Sequence, residues 1–293
     1  MGGTEMGTKD QSLRKYTVED VTIHLCEPDL VDGEWIGQKE VYRLLCAAWL
    51  KKDEHDLSMT PVLVGSPGCG KTRLGCCAAK EFDRPVYIMN CTSDMQPEDL
   101  IVIPVLSSHQ NVLYQASPLV SAVVNGGVCI LDEANRMSEK CWAGLAPLLD
   151  DRRYVQSNIV GNKIPAHPEF RLVATMNEDS STYIIPDYIE SRLRPILQVE
   201  LPSEKELVEI VSRNVPFVGE HLIEAIVYFL SEKKKSGALV KYSIRDAIQI
   251  TRYAARLSED PNFSIAGTVS RFMKIEGMDE KQASLSFGEI EML

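Results

Sequence analysis

The sequence predicts an α/β fold, a parallel sheet flanked by helices, followed by a smaller all-helical domain. Three observations predict it. Four short apolar runs, "PVLV", "PVYIMN", "VCILDE" and "FRLVATMN", close on polar residues or a glycine turn. Their β-branched content and lack of alternation suit strands buried on both faces of a parallel sheet, and the helical segments between them give a βαβ rhythm. After Pro202 the pattern becomes wholly helical.

Taken in order, residues 1–30 form a polar N-terminal extension with one strand at "VTIHLC"; its first residues, "MGGTEMGTKDQ", read as a flexible or appended leader without the features of a signal peptide. Val41, Leu44, Leu45 and Ala48 recur at helical spacing and predict an amphipathic helix before the first buried strand. Two hairpin-like insertions interrupt the rhythm. "SDMQPEDLIVIPVLSSHQNVLYQASPL" follows the second strand, and "DRRYVQSNIVGNKIPAHPEF" has strand-like flanks about a turn at Gly161-Asn162. A last strand, "ILQVEL", closes this domain at Pro202. Ser203 with Glu206 is a capping-box start for the helical domain, which runs to about residue 260. The tail, 261–293, fits either a short helix or a mobile segment.

Bulk properties narrow the function classes. With 293 residues, 44% hydrophobic and 25% charged, the chain is long enough for one large and one smaller domain. Its net charge of -11 disfavours sequence-blind nucleic-acid binding. The most apolar stretch, "HLIEAIVYFL", is too short to span a bilayer and ends in three lysines, so no membrane association is expected. The eight cysteines include no C-x-x-C pair and stand at no zinc-finger spacing from a histidine, so they read as reduced thiols of a cytoplasmic protein.

The chemistry is concentrated in "GSPGCGKT". Gly65, Ser66, Pro67, Gly68, Cys69, Gly70, Lys71 and Thr72 fit G-x-x-x-x-G-K-[ST] between an apolar strand and a helix. Backbone N–H groups curling round a phosphate need glycines at positive φ and a helix N-terminus aimed at the anion. Lys71 is assigned to the β- and γ-phosphates, Thr72 to Mg²⁺, and Arg73 to the same nucleotide site; Cys69 reads as a tolerated filler. "VCILDEAN" ends a strand in Asp132, which would hold Mg²⁺ through its water shell, and Glu133, which would polarise an attacking water. Asn177, at the end of "FRLVATMN", would orient that water.

The order "GSPGCGKT … VCILDEANR … FRLVATMN … IESRLRP … YSIRDAI" resembles an AAA+ ATPase of the MoxR-like, dynein-related branch that includes the CbbQ, NorQ, NirQ and GvpN relatives. The resemblance covers about residues 31–258. "DEANR" is similar to the family's D-E-[IA]-N-R, and "HPEFRLVATMN" to its H-P-x-F-R-x-x-A-T-x-N. "ASPLVSAVVNGGVCILDE" is similar to its G-P-L segment, except that Ser117 stands where glycine is usual. The resemblance implies a P-loop NTPase core over 31–201 and a helical lid over 202–260. It implies that Arg192 is the arginine finger reaching a neighbouring subunit, with Leu193 in place of the usual phenylalanine and Arg194 as the alternative finger. It also implies that Arg245 is a sensor in the lid and that Ile36-Gly37 packs the adenine.

The function so implied is a ring-forming, ATP-hydrolysing chaperone or remodelling ATPase using ATP and Mg²⁺. It would form a homo-hexameric ring and act on a client protein, with a von Willebrand A domain protein as a candidate adaptor. The alternative is a nucleic-acid-associated motor subunit of the same branch, against which the acidic balance counts. A scaffold using ATP only to hold a ring is disfavoured by the set Glu133, Asn177 and Arg192, and no G-A-F-T-G-A loop of the transcription activators is present. In the insertions, Ile101, Val102, Ile103 and Tyr114 fit equally a polypeptide grip or packing on their own domain.

Overall fold

Alternation at Tyr16 and Val18, which the extension's polar composition hides, builds an antiparallel pair at the start of the computed structural model: β1 (Lys15–Val18) with β2 (Val21–His24). The structure describes residues 15–106, 111–178, 185–235, 242–258, 260 and 263–273. The leader and the end of the tail lie outside them. Helix α1 (Lys39–Trp49) follows, then β3 (Val62–Gly65), α2 (Lys71–Glu81) and β4 (Val86–Asn90). The first insertion is a hairpin, β5 (Val102–Leu106) and β6 (Val112–Ala116), leading into α3 (Pro118–Asn125). Next come β7 (Val128–Asp132), α4 (Glu139–Leu149), the hairpin β8 (Tyr154–Gln156) and β9 (Lys163–Pro165), β10 (Arg171–Asn177), the short α5 (Asp187–Glu190) and β11 (Ile196–Gln198). Helices α6 (Glu204–Asn214), α7 (Glu220–Lys235), α8 (Ile244–Leu257) and α9 (Ile265–Met273) complete the described chain.

The four apolar runs and "ILQ" form one five-stranded sheet in the order β11-β3-β10-β7-β4, every neighbouring pair parallel. Being covered on both faces, these strands need no polar alternation, and Val128 to Leu131 and Arg171 to Met176 are all buried. A second sheet, β1-β2-β6-β5, joins the N-terminal strands to the first insertion through a parallel β2–β6 pair. That insertion therefore divides: Ile101 and Val102 are buried in the core and Tyr114 packs against it, whereas Ile103, Val105, Leu106, Val112 and Leu113 are exposed. The second insertion is also a hairpin, but residues 157–162 separate its strands instead of a two-residue turn.

Two local details fix the large core. Trp49, fully buried at the end of α1, donates from its indole to Leu172 O at 3.2 Å, while the buried Arg171 returns a bond from Nε to Trp49 O at 3.0 Å. Ser117 sits at φ -69 and caps α3 by accepting from Val120 N, with its hydroxyl donated to Leu100 O at 2.6 Å. No glycine conformation is required there, so serine at this place is a cap instead of a departure.

The chain divides into two compact units, one comprising residues up to Trp35, Lys39–Gly65 and Lys71–Val199. The other gathers Ile36–Gln38, Ser66–Gly70 and the residues from Glu200 onward. Within the second, α6 to α9 bury Leu207, Val211, Ile226, Leu230, Ile250 and Val269 in a core of their own. Both α6 and α8 start with full capping boxes, Ser203 with Glu206 and Ser243 with Asp246. Among the described residues, no helix is long and apolar enough to cross a membrane.

Candidate nucleotide site

The parallel register brings Asn177 beside Gly65 and, on the other flank of β10, aligns Ala174 with Leu131. The carboxyl ends of three adjacent strands thus carry Gly65, Asp132-Glu133 and Asn177 at one sheet edge, the edge where parallel α/β sheets bind ligands. Lys71, 7% exposed at the start of α2, donates to Gly65 O and to Asn177 Oδ1, both at 2.8 Å. Asn177 Nδ2 in turn donates to Glu133 Oε1 at 3.2 Å, and Arg136 Nε lies 2.5 Å from Glu133 Oε2. A second set meets on one oxygen: Thr72 and Thr175 both donate to Asp132 Oδ1, at 2.8 and 2.6 Å.

The residues suit the groups assigned to them. Gly68 and Gly70 lie at φ +75 and +100, where a side chain is strained, and α2 begins at Lys71 directly after this loop. Thr72 and Asp132 offer hard oxygens 2.8 Å apart, the donor set Mg²⁺ takes when phosphates and water complete its shell. Glu133 stands at φ 56, ψ 41, a left-handed turn that sets its carboxylate toward Asn177.

The other predicted residues fall elsewhere. Arg73 lies against Gly33, where an added Cβ would stand 1.7 Å from its guanidinium. Arg192 donates to Tyr188 O and lies 3.7 Å from Asp150 Oδ2, whereas Arg194 pairs with Glu190 at 3.1 Å. Leu193 between them is buried in the core, so the apolar anchor of that segment is present although it is not a phenylalanine.

In the second unit, Ile244 N donates to Gly68 O at 3.3 Å. Arg245 is exposed on the first turn of α8. Gly37, at φ +75, stands where a Cβ would meet Glu206 Oε1 at 2.2 Å. Glu206 accepts from Ser203 N at 2.8 Å and Gln38 N at 3.2 Å, and these bonds, the Ser203 backbone first, hold its carboxyl below the ordinary value.

Sequence reasoning assigned no role to Thr175, Asn135 or Arg136. Asn135 donates to Asn177 O at 3.1 Å, so it braces the strand end. Arg136 is legible in hindsight from its i,i+3 spacing to Glu133; Thr175 coincides with the threonine of the A-T-x-N pattern, which marks the position without giving its role. All eight cysteines are free thiols, six of them buried, Cys69 included. Burial, with lesser effects of nearby charges, pushes Cys76 and Cys91 up to about 12, which leaves them inert as nucleophiles.

Residues 61–193 match the family model of the AAA domain, dynein-related subfamily. Over 156 residues the chain is 35% identical to Protein NorQ of Paracoccus denitrificans, covering 53% of this chain and 57% of NorQ. Over 151 residues it is 34% identical to the denitrification regulatory protein NirQ of Stutzerimonas stutzeri, covering 51% of each. The chain thus spans about half the length of these curated relatives. Among solved structures, the RuvB Holliday junction branch migration motor of Thermotoga maritima matches with a TM-score of 0.52 at 20% identity, over 84% of this chain and 72% of that one. At that identity the likeness concerns the fold alone.

Proposed function

From the premise that this chain belongs to the AAA+ ATPases of the NorQ/NirQ-like, dynein-related branch, we propose that it is a ring-forming ATPase whose ATP hydrolysis activates or assembles a partner protein. The observation that carries this reading is the joining of Lys71, Asn177 and Glu133 by two hydrogen bonds, beside Thr72 bonded to Asp132. A phosphate-binding loop alone serves switches as well as hydrolases. A carboxylate tied through an amide to the loop lysine supports reading Glu133 as a base for attack on a γ-phosphate.

In this reading the loop glycines and the α2 N-terminus hold the phosphates. Lys71 exchanges its bond to Asn177 for phosphate oxygens, and Thr72 with Asp132 holds Mg²⁺. When bound, the metal neutralises charge developing on the β- and γ-phosphate oxygens. Asn177, released from Lys71, orients water, and Glu133 accepts its proton. Arg192 is proposed to act on a neighbouring subunit's nucleotide, for which it must leave Asp150; Arg194 remains the alternative. Arg73, Arg245 and Ile36-Gly37 are proposed nucleotide contacts. The description of NirQ as a denitrification regulatory protein supports a regulatory role; a separate polypeptide as the client and a homo-hexamer as the assembly are parts of the proposal.

The test is ATP turnover with two variants. Lys71→Ala is expected to lose nucleotide binding, and Glu133→Gln to bind ATP without hydrolysing it and to hold an assembled ring. Hydrolysis by Glu133→Gln at the parent rate sinks the assignment. A rate stimulated by DNA but by no protein fraction would favour the motor alternative.

A further inference from the structure

We infer that Thr175 is a positioning residue, one hydroxyl that fixes both the metal-binding carboxylate Asp132 and the backbone of the base Glu133. This rests on the site reading proposed above and adds a residue to it. Thr175 is fully buried in β10, one position past the Ala174–Leu131 pairing, which sets it beside Asp132. Its Oγ1 lies 2.6 Å from Asp132 Oδ1 and 3.0 Å from Glu133 N. The direction of both bonds is dictated by chemistry. A backbone N–H can only donate and an ionised carboxylate can only accept, so the hydroxyl must accept from Glu133 and donate to Asp132. The two bonds run in series and polarise one another.

Each end of the series matters to the proposed chemistry. At one end, Thr72 donates to the same oxygen, Oδ1, at 2.8 Å, so the two threonines pin Asp132 from separate elements, α2 and β10. At the other end, the Glu133 N–H is anchored at the residue whose backbone is left-handed, φ 56. Such a turn is unfavourable for a non-glycine residue and persists only where neighbours impose it. Without the anchor the turn can relax, and the carboxylate leaves the place where Asn177 meets it at 3.2 Å. Packing alone gives no reason for threonine here. Valine has nearly the same shape and suits a strand interior better, since a buried hydroxyl costs free energy unless it is bonded.

The experiment compares Thr175→Val and Thr175→Ser in the full chain, with Glu133→Gln as control. The readouts are steady-state ATPase against Mg²⁺ concentration, binding of a fluorescent ATP analogue in EDTA, and thermal melting. Thr175→Val is expected to lower kcat and raise the Mg²⁺ concentration for half-maximal rate, each by about 10- to 100-fold, the usual loss when a partner of a metal ligand is removed. Metal-free nucleotide binding should stay within about twofold, because the Thr175 hydroxyl bonds Asp132 and Glu133, which lie outside the loop. Thr175→Ser keeps the hydroxyl and should stay within about threefold of the parent in both quantities. If Thr175→Val does not fold, Thr175→Cys, a weaker donor of similar size, carries the same expectation. An unchanged Mg²⁺ dependence in Thr175→Val, or a serine variant as impaired as the valine one, overturns the inference while an inactive Glu133→Gln leaves the site reading standing. An active Glu133→Gln overturns both.

Discussion

Asn177→Asp tests the proposed water-activating pair by replacing a donor with a charge. The parent Nδ2 lies 3.2 Å from Glu133 Oε1, so the substitution sets a second carboxylate oxygen at that separation. Two unit charges there repel by about 5 kcal/mol at an effective dielectric of about 20. The Glu133 side chain is 43% exposed and contacts Arg136, and Lys71 adjoins residue 177, so screening and these cations reduce the repulsion to about 2 kcal/mol. That corresponds to about 1.5 pH units in the acidic limb of the pH–rate profile. The shift is upward, because the pair retains one proton to higher pH. The assay is saturating MgATP turnover from about pH 5.5 to 9.5 beside Asn177→Ala, which loses both side-chain bonds without adding charge. Both variants should be slower than the parent, with only the aspartate profile displaced. Superposition of the two profiles would refute the proposed coupling of residue 177 to Glu133.

Further expectations follow from other contacts. Arg192→Ala should bind nucleotide normally and lose about 10³ in turnover, and mixing it with Lys71→Ala subunits should restore activity if the finger acts across a subunit boundary. Unchanged turnover would move that role to Arg194. Gly37→Ala forces a Cβ to 2.2 Å from Glu206 Oε1 at φ +75, so it should destabilise the second unit by about 1–3 kcal/mol in chemical unfolding, and an unaltered transition would be contrary. Glu206 has a depressed folded-state pKa, so its contribution is present above the ordinary 4.5 and is lost as pH falls through the folded value. Glu206→Gln should flatten the acid side of the stability–pH curve, and a variant curve parallel to the parent's would dismiss the bonds from Ser203 and Gln38 as its cause.

The parallel sheet was legible because strands buried on both faces are written as unbroken apolar runs, as in "VCILD". The phosphate loop was legible because few backbones other than a glycine-rich one reach positive φ twice within three residues, as Gly68 and Gly70 do. The second sheet was not legible. Strand β2 was expected at "VTIHLC", but β1 is only four residues long and half exposed, and the partner of β2 across the sheet, β6, lies some ninety residues away, where no local pattern can announce it. The mixed fate of the first insertion has the same origin. Ile101 and Ile103 are indistinguishable by type, and the hairpin's seat on the second sheet decides which one is covered. Thr175 escaped for a different reason: β10 is buried on both sides, so a bonded hydroxyl and a methyl group occupy it alike until Asp132 is placed beside it.

Two hydrogen-bonded sets within the site differ in what catalysis would ask of them. Thr72 and Thr175 converge on Asp132, and Thr175 in turn accepts from the Glu133 N–H, through groups that need not part when a cation is held, since coordination by Thr72 uses a lone pair and leaves its proton for Asp132 Oδ1. Lys71, Asn177, Glu133 and Arg136 form the other set. Here each bond competes with the proposed work: Lys71 cannot give its full set of donors to phosphate while bonded to Asn177, and Glu133 cannot take a proton on an oxygen held by Arg136 at 2.5 Å. The first set is therefore a frame and the second a set of partners to be exchanged. Substitutions in the frame should act mainly through the Mg²⁺ requirement, while substitutions in the second set should act mainly through turnover and its pH dependence. Thr175→Val and Asn177→Asp, whose hydroxyl and amide lie on one strand two residues apart, should then give different kinetic signatures, and identical signatures would remove the distinction between the sets.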